Sequence, residues 1–567
     1  MRRTALVVLS FLVLAGITFT ILQSGPHIDD NSVLTLDIGG QFAEAPPTDA
    51  LARLMASGPA LPTLLLQLEK AAADERIRGV LLHIRPLQLG YARTQELRDA
   101  VVRLRESGKP VVALLDIAAL NATRELFLAS AASKVYAVPG YLGPLAGVSG
   151  EFLHLGGILE KLGVRMEYER IGIYKSAPEM FAARGMSDPA RANANELFDG
   201  IYEQLVAGVA EGRGLSTERV RELVTEAPGT ARELVEAGLV DGIANRTEAL
   251  ERAGLGRAET VGLEQYLHVD PTDLGLRDGP AIALIFGDGT IVSQGGGPGT
   301  GAGFTADRII AALDDAGEDD EIAAVVFRVN SGGGSPLASD AIWQAVRKLR
   351  ELKPVVISMA DAAASGGYYV ASGANAILAE PATLTGSIGV FLLRPSISGL
   401  YEKLEINATA ITRGPFAPVS GGSEPLTPLQ RERVRQFVRS LYDDFLERVS
   451  VGRELPTPDV DKLGQGHVWL GSAALENGLI DELGGLWAAV HRAKEAAGID
   501  PDVDPRRVLV PGPRSLSTQF RDLMQGQLRT WLIRELLPVR VPAVFGALAY
   551  AVDAGVAYVP GWWIEFY

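Results

Sequence analysis

The chain has 567 residues, enough for at least two domains with cores of their own. Its net charge of −16 leaves no basic stripe to neutralise phosphates, which argues against a nucleic-acid partner. Zero cysteines exclude disulfides, thiolate zinc sites and a cysteine nucleophile; the six histidines are scattered without ligand spacing, so neither a metal nor another cofactor is expected.

Met1-Arg2-Arg3 precedes an uncharged run from Thr4 to Ser24, about one bilayer thickness as a helix. With cations before the run and Asp29-Asp30 after it, residues 1–26 read as a single-pass anchor that leaves the body outside the cytoplasm. A cleavable signal peptide is the competing reading, but the run is longer than a usual signal core and no A-x-A pattern follows.

From here the chain reads as two copies of one unit, 27–268 and 280–500. Strand-like Ser32–Ile38 and Gly79–Ile84 lead to helix-like Glu96–Glu106 and then Lys109-Pro110-Val111-Val112. In the second copy Ala281–Phe286, Ala323–Val329 and Asp340–Glu351 lead to Lys353-Pro354-Val355-Val356. The offset is 244 there and 242 at Glu160-Lys161-Leu162 against Glu402-Lys403-Leu404. A helical region, Ala190–Gly254, closes the first copy, and Val269–Pro280 is the linker. Alternation of strand and helix predicts an α/β fold with a parallel sheet in each copy. Residues 501–567 belong to neither copy and end in an apolar stretch, Val541–Ile564, too rich in Pro and Gly for a good spanning helix.

Each copy holds a chemically suggestive residue that the other lacks: Ser365 falls opposite Asn121, and Lys175 opposite Ala417. Ser365 lies in Ala362-Ala363-Ala364-Ser365-Gly366-Gly367 at a strand-to-helix turn, where small neighbours admit a substrate backbone and the helix start favours developing negative charge. Gly332, Gly333 and Gly334 end a strand, and consecutive glycines there can aim N–H groups at one point as an oxyanion hole requires. The first copy has Arg85–Gly90 in their place and cannot build that cradle. A serine nucleophile needs a base, and a buried lysine can lose its proton where arginine cannot. Lys175 sits among apolar and small residues in a chain with 10 Lys against 43 Arg. Ser387, in Thr385-Gly386-Ser387-Ile388-Gly389, could hold the amine in line. Singly, each motif also reads as ordinary structure: a serine helix cap, a flexible turn, a half-exposed lysine.

Together, R-V-N-S-x-G-G-S, A-A-S-G-G-Y-Y, T-L-T-G-S-I-G-V and Y-K-S-A resemble the long, duplicated form of signal peptide peptidase A (protease IV) from the anchor to about Asp500. The resemblance implies two tandem Clp-protease/crotonase-like (ββα-spiral) domains and a serine endopeptidase with Ser365 as nucleophile and Lys175 as base. It implies Ser387 as the lysine's hydrogen-bond partner and glycines 332–334 as the oxyanion turn. It implies signal peptides and other short apolar peptides as substrates, a homotetramer, and a bacterial inner-membrane location with the body on the periplasmic side. One departure is Gly332, where the family usually has proline. A crotonase-like acyl-CoA enzyme and a non-catalytic membrane scaffold are the rival readings.

Overall fold

In the computed structural model of the chain, residues 28–48, 58–294 and 303–512 are described. The expected anchor at 1–26 and most of the C-terminal extension lie outside them. Among the described residues no helix is long and apolar enough to cross a membrane.

The first half carries β1 (Ser32–Gly40), β2 (Ile77–Leu87), β3 (Val111–Leu115), β4 (Lys134–Ala137), β5 (Arg165–Ile171), β6 (Gly242–Ile243) and β7 (Thr260–Gly262). All but β5 form one sheet in the order β6-β4-β3-β2-β1-β7, paired parallel throughout. Near-continuous apolar runs such as Val111–Leu115, buried at every position, suit strands covered on both faces. The Leu61–Ala73 and Tyr91–Glu106 helices supply one cover. Arg246–Arg252 and its neighbours supply a smaller one over Val33, Leu81 and Val112.

The second half repeats this plan with β8 (Gly279–Asp288), β9 (Ile322–Ser331), β10 (Val355–Ala364), β11 (Ala376–Ala379), β12 (Leu384–Gly386), β13 (Val390–Ser396), β14 (Val468–Leu470), β15 (Glu482–Leu483) and β16 (Pro505–Leu509). Its sheet runs β14-β12-β10-β9-β8-β16, with β11 and β15 branching from β10. All pairs are parallel except β12 with β14. β16 lies past residue 500, where the sequence reading ends the second copy. It lies beside β8 as β7 lies beside β1, so the repeated plan continues to Leu509. Its sequence, Pro-Arg-Arg-Val-Leu, shares no pattern with Thr-Val-Gly, and position in the sheet is what makes the two equivalent.

Several features join the halves, among them a strand pair and a buried cation. Strands β5 and β13 leave their own sheets and pair antiparallel with each other, from Arg165 against Ser396 to Ile171 against Val390. Under the main sheets, fully buried Arg328 of β9 donates to Glu44 and Glu96 of the first half, both at 2.6 Å, and to Ser358 Oγ at 2.8 Å. A guanidinium can be buried there because its charge is matched and its fork is filled.

Candidate active site

Each residue singled out in the sequence is placed by a strand end. β10 delivers Ser365, β12 delivers Ser387, β9 delivers the three glycines, and β5 delivers Lys175 from the other half. Because β5 and β13 run antiparallel, the residues just after Ile171 meet those just before Val390. That crossing carries Lys175 to Ser387 over a sequence separation of 212.

Lys175 Nζ lies 2.9 Å from Ser365 Oγ, 2.9 Å from the Ser387 carbonyl oxygen and 3.0 Å from Ser387 Oγ. All within one chain, these contacts account for the amine completely. Protonated, it donates to all three; neutral, it keeps two N–H donors and turns its lone pair to the third. Lys175 and Ser387 are 1% and 2% exposed and Ser365 is 0% exposed, so the cluster is dry. Burial holds the Lys175 amine far below an ordinary lysine, at about 7.

Both serines are strained. Ser365 has φ +52°, ψ −117° and Ser387 has φ +51°, regions that side chains other than glycine rarely occupy. Backbone bonds hold them there. Ser365 N–H donates to Gly386 O at 2.8 Å, and Ser387 N–H donates to His467 O at 2.7 Å. Such strain costs roughly 1–3 kcal/mol per residue and fixes where each hydroxyl points.

The glycine turn differs from expectation in one respect. Gly333, at φ +109°, spends its N–H on Ser331 Oγ at 3.0 Å and is not a free donor. Gly334 comes closest to the serine's helix: a Cβ on Gly366 would stand 3.1 Å from Gly334 N. Gly366 opens the Gly366–Ala371 helix immediately after Ser365, where an N–H has no partner within the helix. Sequence reasoning named Gly366 only as a small neighbour; the signal for a donor was its place as the first helical residue after the serine.

Sequence reasoning also missed the turn that seats the lysine. Gln465 O accepts the Tyr174 N–H at 2.9 Å, and Gly466 N–H donates to Ile388 O at 2.8 Å. A Cβ on Gly466 would come within 2.5 Å of Lys175 N, so only glycine allows that approach. Among the described residues no group of histidines, cysteines and carboxylates could hold a metal ion.

Similarity to known proteins covers the segments that carry Lys175, Ser365, Ser387 and the 464–467 turn. The model of peptidase family S49 matches twice, at residues 103–258 and 347–500. The chain is 35% identical to serine protease SPPA, chloroplastic, of Arabidopsis thaliana, over 88% of this chain and 74% of that protein. It is 32% identical to Protease 4 of Haemophilus influenzae, over 76% of this chain and 72% of that protein. With Protease 4 of Salmonella typhi it is 30% identical over 96% of this chain and 91% of the relative.

Proposed function

The chain belongs to peptidase family S49 and is a serine peptidase; from that premise we propose that it cuts peptides with a Ser365/Lys175 dyad through an acyl-enzyme. One observation carries the reading: a buried amine near neutrality, at about 7, lies 2.9 Å from a strained serine hydroxyl.

In the proposed reaction neutral Lys175 takes the Ser365 proton as Oγ attacks the peptide carbonyl carbon. The two Ser387 oxygens keep the amine aimed as it becomes charged. The N–H groups of Gly334 and Gly366, brought close at the serine's helix start, hold the developing oxyanion. Lys175 passes its proton to the leaving nitrogen as the C–N bond breaks. A water then enters, gives a proton to Lys175 and attacks the ester, and Ser365 recovers its proton as the acid leaves. The dry surroundings keep each of these charge shifts strong.

The finer part of the proposal is a body tethered by residues 1–26 on the outer side of a bacterial inner membrane, self-associated as a homotetramer, that degrades released signal peptides and other short apolar peptides. The uncharged run Thr4–Ser24 and the flanking charges support the tether. The halves of the proposal at 27–268 and 280–500 divide the labour, the first supplying the base and the second the nucleophile and oxyanion donors.

The test is hydrolysis of a short apolar peptide by full-length protein. Ser365→Ala and Lys175→Ala each abolish turnover, and the double variant is no worse than either, as for groups that act as a unit. Lys175→Arg is as inactive as alanine. Substantial activity in Lys175→Arg overturns the lysine base, because a guanidinium stays protonated.

A further inference from the structure

The turn at 464–467 takes no part in bond making, yet both Lys175 and Ser387 hang from it. Gln465 at φ +52° and Gly466 at φ +77° are consecutive left-handed residues, so the turn is costly and must be held from outside. On one side, Gln465 Nε2 donates to Asp461 Oδ1 at 2.6 Å. On the other, among the described residues, the side chain that leads from the turn to the first half is that of His467. Its ring is wedged between Tyr174, with centroids 4.5 Å apart and rings at 75°, and Trp469, at 3.9 Å and 30°. Its Nε2 lies 2.9 Å from Glu196 on the Asp188–Arg213 helix. One helical turn away on the same helix, Asn193 bonds both Val468 N and Val468 O, at 3.0 and 2.8 Å.

We propose that His467 is a positioning residue for the peptidase reaction: its ring, clamped by Tyr174 and Trp469 and tied to Glu196, locks the 465–467 turn that fixes the Lys175 amine against Ser365. The chain of contacts is short. The His467 carbonyl holds Ser387 N–H, and Ser387 in turn accepts twice from the amine. The residue before His467 touches the Lys175 backbone, and the residue before that holds Tyr174 N–H. Release of the ring frees all three at once.

The ring's own chemistry agrees. His467 Nδ1 is buried without a hydrogen-bond partner, so a proton there would have no acceptor. Burial lowers the His467 pKa, against the opposing pull of Glu196 and of the Val468 backbone. The other ionisable groups facing the turn are Tyr174 and Lys175 after β5, Tyr442 on the Pro428–Arg453 helix, and Asp461, with the Arg170–Glu179 pair behind the Lys175 carbonyl. None supplies Nδ1 with an acceptor, so the neutral ring with its Nε2 proton on Glu196 is the form the site accommodates.

The proposal rests on Lys175 as base, and the experiment separates the two. kcat and KM are measured against pH for full-length wild type, His467→Ala and His467→Phe on the same apolar peptide. His467→Ala loses roughly tenfold to a hundredfold in kcat, as misplacement of a reacting group does, with KM nearly unchanged. Its activity limb moves to higher pH, because a loosened, wetter amine titrates closer to a free lysine. His467→Phe keeps the ring wedge and returns the limb towards its wild-type position, which also excludes the imidazole as the titrating group. Thermal melts of both variants check folding. A lower kcat in His467→Ala with an unmoved limb reduces His467 to a structural residue and overturns the proposal. A limb that disappears in His467→Phe, together with an active Lys175→Arg, overturns the lysine base as well.

Discussion

Lys175 shows how a single residue can be a burden to the fold and, as the proposed base, the source of its chemistry. Its value in the folded chain, about 7, lies below the ordinary lysine value near ~10.4. Between those two values the unfolded chain binds the extra proton, so stability rises with pH across that window. The cost is greatest below about pH 7 and fades towards pH 10. Lys175→Met, which fills similar space without charge, is therefore expected to melt higher than wild type at neutral pH, by a margin on the order of 2–4 kcal/mol that shrinks as pH rises. Chemical melts at three pH values check this, and a Met variant no more stable than wild type at pH 6 contradicts it. The same shift sets the sign for catalysis: kcat/KM rises with pH through about 7, where the amine becomes neutral. Ser387→Ala removes one of the amine's two Ser387 contacts and leaves the carbonyl, so turnover falls markedly while folding stays intact. A pH–rate series for the two proteins on one peptide decides it, and identical curves would remove Ser387 from the site.

At the scale of elements, the site is a meeting of strand ends, and glycines decide how close they come. Gly172 and Gly389 face the 465–466 turn as Gly466 faces Lys175, each with a Cβ contact of 2.9 Å or less. Gly478 offers a control, because it has φ +80° and nothing within 4 Å of its Cβ position, whereas Gly466 has φ +77° against the lysine. Alanine at either position meets the same backbone strain, costing about 1 kcal/mol or more. Only Gly466→Ala also pushes on Lys175, the proposed base. Gly478→Ala should keep full kcat with a slightly lower melting temperature, while Gly466→Ala should lose at least about tenfold in kcat. Equal activity in the two variants would mean that the approach to Lys175 does not matter to turnover.

For the whole molecule, the buried Arg328 cluster and the β5–β13 pair make two sheets into one body. Arg328→Met strips buried Glu96 of its cation and leaves Glu44 with Arg93 at 3.5 Å, and a loss of roughly 3–5 kcal/mol is expected from urea unfolding. The repeat also bears on the proposed self-association. Shifted by the offset of 242, β13 corresponds to residues 148–154 and β5 to 407–413, and neither of those stretches is in a sheet. Residues 407–413 are exposed throughout and include the β-branched Thr409, Ile411 and Thr412, which suits an open edge. In the proposed assembly these two stretches pair between neighbouring copies as β5 and β13 pair within one, a head-to-tail contact that can close into a ring. Leu393 opposite Tyr168 then predicts Glu151 opposite Ala410. The absence of native cysteines makes the register testable. Glu151→Cys with Ala410→Cys should give an oxidised ladder of multimers, and Glu151→Cys with Ile411→Cys, one residue out of register, should not. An oligomer by light scattering with no ladder would refute this pairing alone, and a monomer would refute the assembly too.

What was legible in the sequence was whatever repeats locally. Lys-Pro-Val-Val twice over, apolar strand runs and glycine-flanked turns announced a duplicated α/β chain, because strands buried on both faces leave a pattern in neighbouring residues. The complementary loss of serine in one copy and lysine in the other marked both residues for the same reason. The Tyr91–Glu106 and Pro336–Arg350 helices match the helix-like stretches Glu96–Glu106 and Asp340–Glu351, though each begins several residues earlier, at the turns that follow β2 and β9. The β5–β13 crossing, the seat of Lys175 on Gly466 and the clamp on His467 were decided by tertiary structure alone. Each depends on which residues from distant segments approach within hydrogen-bond reach. β5, with charges at Arg165, Glu167, Glu169 and Arg170, carries no buried-strand pattern, since its partners are a strand and arginines from the other half. Separations of 190 residues or more leave no period in a sequence, and only the folded chain brings such residues to one point.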